Sequence, residues 1–166
     1  MKKAVTISPC GLYRYELWRD TSGFECEGLM AFVMLNPSTA DASKDDPTIR
    51  RCMDFARRHH CDRMAVVNLF AYRATDPTAL VRAADPVGPE NDAHLRGVLS
   101  QADVVVAAWG AHKMVAHAGA RVALVRSLAR DRLRCLGTTS AGHPRHPLYL
   151  PATAPLTRWP ADGGGS

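Results

Sequence analysis

The sequence predicts a single α/β domain, a three-layer α/β/α sandwich built around a mainly parallel central sheet. Three runs, continuously apolar at residues 29–35 and mostly apolar at 64–68 and 103–109, have the length of strands that are buried on both faces. Amphipathic helical segments stand between these runs, and this alternation indicates right-handed parallel crossovers. The chain has 166 residues, of which 46% are hydrophobic and 22% charged, and this composition suits one globular domain with a sizeable core.

Charge and hydropathy indicate whether the chain is expected to be a nucleic-acid-binding, a membrane or a secreted protein. The net charge of +5 is compatible with a polyanionic partner such as DNA. No apolar run reaches the length of about 18 residues that a membrane span needs, so no membrane contact is predicted. The first residues are too short and too polar a stretch for a signal peptide. We therefore expect a cytoplasmic protein, and we expect it to be a monomer.

Metal and cofactor chemistry finds little support in the sequence. The five cysteines are odd in number and no Cys-x-x-Cys pair is present, which argues against a zinc or iron–sulfur site. Glycine-rich phosphate loops of the Walker and dinucleotide-binding types are missing as well. We expect no metal and no cofactor. Residues 1–160 are predicted to form the domain, and residues 161–166 a flexible tail.

The first elements in the chain are two strands and a helix. Residues 12–18 alternate as an edge strand does, and the turn-forming residues 20–23 predict a hairpin with the strand at 29–35. Asp46 and Pro47 then predict the start of a helix, with Asp46 as N-cap and Pro47 in the first position. The core face of this helix carries Ile49, Cys52, Met53 and Ala56.

The same helix carries a basic cluster on its other faces. Four arginines and two histidines make up this cluster, namely Arg50, Arg51, Arg57, Arg58, His59 and His60. Cations near a helix C-terminus are favoured by the helix dipole, so a solvated face is one interpretation. Contact with phosphate groups is the other, and the sequence leaves both open.

The second half of the chain continues the alternation of strands and helices. After the strand at 64–68 we predict a short helix at 78–84 and a longer helix that opens at Gly88-Pro89. The core face of the longer helix carries Leu95, Val98, Leu99 and Ala102. The strand at 103–109 is followed by a helix at 116–130, a short strand at 133–136 and a polar loop at 138–147.

Polar motifs stand where the predicted strands end. Asn36 and Asn68 end the first two buried strands, Trp109-Gly110-Ala111-His112 ends the third, and Gly142-His143-Pro144-Arg145-His146-Pro147 follows the last. Carboxyl ends of parallel strands share one edge of the sheet, where α/β proteins bind their ligands. A carboxamide offers a donor and an acceptor to the edge of a nucleobase, and imidazole suits a leaving group that gains negative charge. Asn-Pro-Ser alone is also a common turn signal.

In order and spacing, these four motifs resemble those of the uracil-DNA glycosylase superfamily. More closely, the chain from about Tyr15 to Trp159 resembles the DUF1643 family, whose function is unknown. The superfamily resemblance implies a uracil-DNA glycosylase-like fold and a DNA glycosylase activity that needs no cofactor. In this resemblance Leu35-Asn36-Pro37-Ser38 is similar to the motif whose acidic or amide side chain positions the attacking water. Asn68 resembles the asparagine that binds the pyrimidine edge.

The resemblance also implies roles for the last loop and for its neighbours. His143 resembles the histidine that binds the departing base, with His146 as the alternative; Asn36 and His143 are thus the predicted catalytic residues. The predicted base-binding residues are Asn68, Phe70, Tyr72, Ser38 and Pro37, although Phe70 and Tyr72 are equally typical of core packing. Predicted contacts to the DNA backbone are Arg73, Arg145 and Lys113. Supporting roles fall to His112, Asp92 and His94.

Two departures from the superfamily pattern bear on the predicted activity. Asn36 stands where the most active members have Asp, and an amide orients water but cannot accept its proton. Ser38 stands where uracil-specific members have a bulky Tyr, so there is room for a 5-substituted pyrimidine. We therefore expect a DNA glycosylase that flips out and excises a modified or mismatched pyrimidine. The alternatives are a non-catalytic module that binds nucleic acid or a base, and an enzyme that acts on free modified nucleotides.

Overall fold

The computed structural model describes residues 3–21, 27–39 and 44–161, which form a mixed α/β fold. Residues 22–23 of the predicted turn and residues 162–166 of the predicted tail lie outside this range. The strands are β1 (Lys3–Ile7), β2 (Arg14–Asp20), β3 (Leu29–Met34), β4 (Arg63–Asn68), β5 (Val104–Ala107), β6 (Leu133–Cys135) and β7 (Thr157–Arg158). The α-helices are α1 (Pro47–Arg58), α2 (Asn91–Gln101) and α3 (Gly119–Ala129), and short 3-10 turns include Pro77–Val81, Lys113–His117 and Pro147–Tyr149.

The strands form one sheet in the order β1-β2-β4-β3-β5-β6-β7. The four central strands β4, β3, β5 and β6 run parallel, whereas β1, β2 and β7 join antiparallel at the two sides. Met34 lies opposite Asn68, and Val33 lies opposite Ala107. The carboxyl ends of β3, β4 and β5 therefore lie level with one another, and the segments that follow these strands leave the sheet at the same edge.

The predicted hairpin between residues 12–18 and 29–35 is wrong. Strand β2 pairs with β1 and β4, and β3 pairs with β4 and β5. Strand β1, which we did not predict, is the true edge of the sheet, and β2 is an inner strand that buries Leu17. The prediction assumed that strands adjacent in the chain pair with each other. A strand that is apolar on both faces, as β3 is, is instead typical of the centre of a parallel sheet.

Helices pack against both faces of the sheet. On β3 the alternate residues Leu29, Ala31 and Val33 join a core cluster with residues of α2 and α3. The intervening residues of β3 join a second cluster with Phe55 and other residues of α1. This division explains why β3 is apolar at every position, since each of its faces is covered by helices.

Helix α1 begins where the sequence predicts. The side chain of Asp46 accepts a hydrogen bond from the backbone N–H of Ile49 at 2.8 Å, and Pro47 occupies the first turn. The four predicted core residues are buried, as is Phe55. His59 follows Arg58 as the C-cap, so the two arginines at 57 and 58 lie in the last turn, where the helix dipole favours cations.

Several later elements are shorter than predicted. Helix α3 begins at Gly119, because His112 caps a separate 3-10 turn at Lys113–His117. Strand β5 ends at Ala107, and the Trp109-Gly110 segment turns out of the sheet. The predicted helix at 78–84 is a 3-10 turn at Pro77–Val81, and β7 was not predicted. Among the described residues, no helix combines the length and the apolarity that a membrane crossing requires.

Candidate functional site

A cleft of about 610 Å³ opens at the carboxyl edge of the parallel strands. Its volume lies in the range of pockets that hold small ligands such as nucleotides. Residues from the ends of β3, β4 and β5, from the loop at 138–147 and from the start of α1 line it. The lining includes Asn36, Ser38, Asn68, Trp109, Gly110, Ala111, His112, Arg145 and His146 from the predicted motifs. The motifs that the sequence places after separate strands thus share one cleft.

Asn36 presents an amide oxygen to the cleft. Its Nδ2 donates hydrogen bonds to the carbonyl oxygens of Pro37, at 3.0 Å, and of Ala74, at 2.8 Å. A carbonyl oxygen only accepts hydrogen bonds, so these two contacts determine which end of the amide is nitrogen. The Oδ1 atom is left as an acceptor on the cleft wall, where it can accept from a water molecule or from a ligand N–H group.

Asn68 lies in the cleft wall at the end of β4 and is almost fully buried, with 2% of its surface exposed. Its Oδ1 atom is buried and has no hydrogen-bond partner among the described residues. A buried polar atom without a partner costs about 1–3 kcal/mol, and native proteins retain few of them. Because the oxygen itself is closed to solvent, a ligand in the cleft satisfies it once the amide turns toward the cleft.

His146 contributes a hydrogen-bond donor. Its Nδ1 atom accepts a hydrogen bond from the backbone N–H of Leu148 at 3.2 Å, so the proton of the neutral ring resides on Nε2. Burial lowers the pKa of His146 below its ordinary value, and the nearby Asp46 carboxylate opposes this shift only in part. The ring is therefore neutral at physiological pH and offers Nε2–H to the cleft.

The loop that carries His146 is tied to the end of β5. The backbone N–H of Gly110 donates to the carbonyl oxygen of Pro144 at 2.9 Å. Gly110 has a φ of +74°, a conformation that glycine adopts without strain. A Cβ atom on Gly110 would lie 3.6 Å from the Cβ of His146, so the two segments are in close contact.

His143, the predicted catalytic histidine, does not line the cleft. Its backbone N–H donates to Thr139 Oγ1 at 3.2 Å, and its carbonyl oxygen accepts from the Thr139 N–H at 2.9 Å. His143 thus belongs to the turn that shapes the loop, and His146, the alternative in the sequence analysis, occupies the cleft. His112 also lines the cleft, and its Nδ1 caps the next turn by accepting from the Met114 N–H at 3.1 Å.

The two aromatic residues predicted to stack on a base point elsewhere. Phe70 is buried in the core, and the Tyr72 ring packs edge-on against Tyr13 at 6.1 Å between centroids. Neither residue lines the cleft, because β4 ends at Asn68 and the following residues return to the body of the domain. The aromatic residues of the cleft are Trp109, which is buried, and Tyr149, which is 72% exposed.

Of the three predicted phosphate contacts, Arg145 alone lines the cleft. Its Nη2 donates to the carbonyl oxygen of Tyr149 at 3.3 Å. Arg73 donates from Nη1 to the carbonyl oxygen of Gly11 at 3.0 Å, and it lies outside the cleft lining. Lys113 is exposed and is likewise outside it.

Asp92 and His94 lie on α2 and do not line the cleft. Asp92 forms an ion pair with Arg121 at 2.7 Å. His94 Nδ1 lies 2.7 Å from a carboxylate oxygen of Glu16, and its ring stacks on Tyr15 at 4.6 Å. Both side chains thus have partners away from the cleft wall, and their supporting role stays a prediction.

Ser38 and Pro37 occupy the loop after β3 in different ways. Ser38 lines the cleft with its small side chain. Pro37 is buried, and its carbonyl oxygen accepts from the Ala74 N–H at 2.9 Å as well as from Asn36. The hydroxyl groups of Thr39 and Thr75 meet at 2.6 Å, so this loop is joined to the segment that follows β4.

Sequence reasoning missed several residues of the cleft wall. Arg14, Asp46, Thr48, Thr139 and Tyr149 were not predicted there. Asp46 could be recognised only as a helix cap from its sequence context. No local signal identifies Arg14, because its place in the cleft depends on an irregularity in the pairing of β2. Within the described ranges, no group of three or more potential metal ligands is assembled.

Comparison with known proteins identifies one family. The family model described as "protein of unknown function (DUF1643)" matches residues 14–148, which include the four parallel strands of the sheet and every residue of the cleft wall except Tyr149. No curated protein and no solved structure matches the chain.

Proposed function

The chain belongs to the DUF1643 family, whose description states no function, and we propose that it is a DNA glycosylase that excises a 5-substituted or mismatched pyrimidine. In this proposal the domain is a three-layer α/β/α sandwich of the uracil-DNA glycosylase type, and helices on both faces of the sheet support it. The target nucleotide leaves the duplex and enters the cleft, because its glycosidic bond is out of reach inside the stack.

The buried amide of Asn68 carries the proposal. The edge of a pyrimidine presents a carbonyl acceptor beside an N–H donor, and a carboxamide matches this pair with two hydrogen bonds. Asn68 Oδ1 has no partner among the described residues, and turning of the amide toward the cleft would let a base N–H group satisfy it. A planar base bound there would replace an unfavourable buried polar atom by a hydrogen bond, which favours binding.

His146 supplies stabilisation for the leaving group. As the N-glycosidic bond breaks, negative charge develops on the pyrimidine oxygen next to the bonded nitrogen. The neutral His146 ring donates from Nε2–H, and a donor aimed at developing charge in a dry site contributes about 100- to 1000-fold to the rate. A neutral donor suits this role, because the imidazole does not have to lose a proton at physiological pH.

Asn36 orients the attacking water. Its free Oδ1 accepts a hydrogen bond from the water, which attacks C1′ of the sugar while the base departs. The water's oxygen forms the new bond to C1′, and the proton that it releases ends on the base. The products are a neutral free base and an abasic deoxyribose, and no oxidant, reductant or cofactor is consumed.

Ser38 favours a substituted base. Its side chain is small and lines the cleft, so a pyrimidine with a 5-methyl group or a larger substituent has room beside it. Substitution of Ser38 by Tyr is expected to exclude such bases and to favour uracil. Thymine in a mismatch and 5-hydroxymethyluracil are therefore the first substrates to test.

A second function is supported by the same observation at Asn36. A carboxamide does not accept a proton, so Asn36 orients the attacking water without serving as its general base. A protein that binds a flipped base without cutting the glycosidic bond would keep Asn68 and His146 and need no general base. A measurement of base release distinguishes the two functions.

The test is a base-release assay. The protein is incubated with single- and double-stranded oligonucleotides that each carry one uracil, mismatched thymine or 5-hydroxymethyluracil, and abasic sites are revealed by alkaline cleavage. The variants are Asn68→Ala and His146→Ala, with His143→Ala as the matched control from the same loop. Release at one base is expected, and His146→Ala is expected to reduce it about 100-fold or more. The control should retain it.

The other outcomes are equally informative. Equal loss in His143→Ala and His146→Ala would contradict the role given to His146. No release from any substrate, together with binding that weakens steeply as salt rises, would establish the non-catalytic function, since such a slope reports phosphate contacts. Neither release nor binding of DNA would overturn both functions.

A further inference from the structure

Arg14 is a buried cation in the wall of the cleft. It is the first residue of β2, and only 8% of its surface is exposed. Within the described part of the chain its guanidinium forms no hydrogen bond, and no carboxylate lies within the 4.0 Å of an ion pair. The other arginine that is buried among the described residues, Arg19, is engaged by Asp45 at 2.8 Å. Arg14 is thus a charged residue of the cleft wall that no described carboxylate neutralises at contact distance.

An uncompensated buried guanidinium is energetically unfavourable. Removal of the cation from water lowers the pKa of Arg14 from its ordinary value, and the charge of Asp46 offsets part of this loss. Arginine nevertheless stays protonated in proteins, so the charge persists. Buried charges are normally paired, and an unpaired one in a cleft is typical of a functional position.

A β-bulge directs Arg14 to the cleft. The register between β1 and β2 shifts between Thr6, which lies opposite Glu16, and Ile7, which lies opposite Arg14. Tyr15 is therefore an extra residue in β2, and it reverses the alternation of side chains at this point. As a result Arg14 lies in the cleft beside the start of α1, whereas Tyr15 packs with Tyr13 in a separate cluster.

The surroundings of Arg14 suit an oxyanion. The first turn of α1 contributes Thr48 to the cleft wall, with its hydroxyl and a backbone N–H in the second helical position. Ser38 and Thr75, which both carry hydroxyl groups, also line the cleft. The Asp46 carboxylate lines it too, but one of its oxygens accepts the Ile49 N–H as the helix cap. A guanidinium together with a helix N-terminus is a favourable site for phosphate.

We propose that Arg14 and the first turn of α1 bind a phosphate group of the nucleotide whose base Asn68 contacts, so that the substrate class is a phosphorylated nucleotide. This inference rests on the proposed function in taking Asn68 as the base-binding residue. The phosphate is either a backbone phosphate of DNA next to the flipped base or the 5′-phosphate of a free mononucleotide. Arg14 binds and positions the substrate, and it takes no part in the bond changes.

The first measurement needs no variant. Calorimetry would compare the binding of thymidine, thymidine 5′-monophosphate and inorganic phosphate to the full protein. The monophosphate is expected to bind about 10- to 100-fold more tightly than thymidine, the range that one hydrogen-bonded charge contributes. Equal affinities for thymidine and its monophosphate would exclude the free mononucleotide as the source of the phosphate, and no binding of any phosphate-bearing probe, DNA included, would overturn the inference.

The second measurement compares Arg14→Met with Arg126→Met. Both substitutions remove one positive charge, but Arg126 is exposed on α3, outside the cleft wall. Arg14→Met is expected to abolish the preference for the monophosphate, and Arg126→Met to preserve it. Arg14→Lys keeps the charge without the planar fork, and it is expected to give an intermediate preference if Arg14→Met does not fold.

The same binding measurements with a DNA oligonucleotide distinguish the two sources of phosphate. Weakened binding of both DNA and the mononucleotide in Arg14→Met supports a phosphate site that serves either source. Weakening of DNA alone identifies the backbone phosphate, and weakening of the mononucleotide alone identifies the free nucleotide. An Arg14→Met protein that binds every probe as the unmodified protein does would overturn the inference. Base release that persists in this variant would leave the proposed function intact, whereas a phosphate preference without base release would refute the proposed function alone.

Discussion

Hydrogen bonds at single residues determine what the cleft offers to a ligand. Two backbone carbonyls hold the Asn36 amide with its oxygen outward, and one backbone N–H holds the His146 ring with its Nε2–H free. The cleft therefore presents one acceptor and one donor of known identity. Asn68 adds an amide whose oxygen still lacks a partner. The Asn36 and His146 side chains are held by these hydrogen bonds before any ligand binds, which lowers the entropic cost of binding.

Protonation of His146 should destabilise the fold. Because burial lowers its pKa below 6.5 in the native state, the unfolded chain binds the proton more tightly. The stabilisation by His146 is complete above pH 6.5 and is lost as the pH falls through the native pKa. NMR titration of the ring protons should place the His146 midpoint below 6.5, with its signal assigned by its loss in His146→Gln. A midpoint at or above that value would contradict the expectation.

Substitution Asn36→Asp should weaken the loop without improving catalysis. The carboxylate would face the carbonyl oxygens of Pro37 and Ala74, and the two hydrogen bonds would be replaced by repulsion. We expect the free energy of unfolding to fall by about 1–3 kcal/mol, measured by urea denaturation. Asn36→Ala, which loses the bonds without the repulsion, is the control. A rise in base release with unchanged stability would show that the loop accommodates a carboxylate.

At the scale of secondary-structure elements, close contacts between loops and strands position the residues of the cleft wall. The bulge in β2 places Arg14, and the Gly110–Pro144 hydrogen bond places the loop of His146. Gly88, at the entrance to α2, lets the chain pass close to the rings of Tyr13 and Tyr15. The contacts of Gly110 and of Gly88 join segments that are far apart in the sequence.

Substitution Gly88→Ala should destabilise the domain, whereas Gly97→Ala should not. Gly88 has a φ of +91°, and an added Cβ would lie 3.0 Å from the ring of Tyr13. We expect a loss of about 1–3 kcal/mol from backbone strain and overpacking. Gly97 lies inside α2 with no atom within 4 Å of an added Cβ, so alanine there should stabilise the helix by up to about 1 kcal/mol. Thermal unfolding of both variants tests this contrast.

At the scale of the whole molecule, one sheet is shared by two cores. Alternate residues of β3 belong to the cluster covered by α2 and α3 and to the cluster covered by α1. Because β3 contributes to both clusters, loss of packing on one face of the sheet disturbs this strand and therefore weakens the packing on the other face. This arrangement predicts a cooperative domain, in which the cleft at the strand ends depends on both cores.

Substitution Leu99→Ala should lower the stability of the entire domain. Leu99 is fully buried in the cluster covered by α2 and α3, and its truncation is expected to cost about 2–5 kcal/mol. Circular dichroism and tryptophan fluorescence should report one coincident transition at a lower denaturant concentration. Two separate transitions would show that the cores unfold independently. Ligand binding under native conditions should be unchanged, because Leu99 does not line the cleft.

The sequence alone determined the α/β class, the parallel strands, the start of α1 and the meeting of Asn36 and Asn68 at one edge, because apolar periodicity, capping and chain direction are local properties. Only the tertiary structure decided that His146 occupies the cleft instead of His143, that Phe70 and Tyr72 leave it, and that Arg14 enters it. Those positions depend on a bulge and on hydrogen bonds between distant segments, which no local pattern encodes.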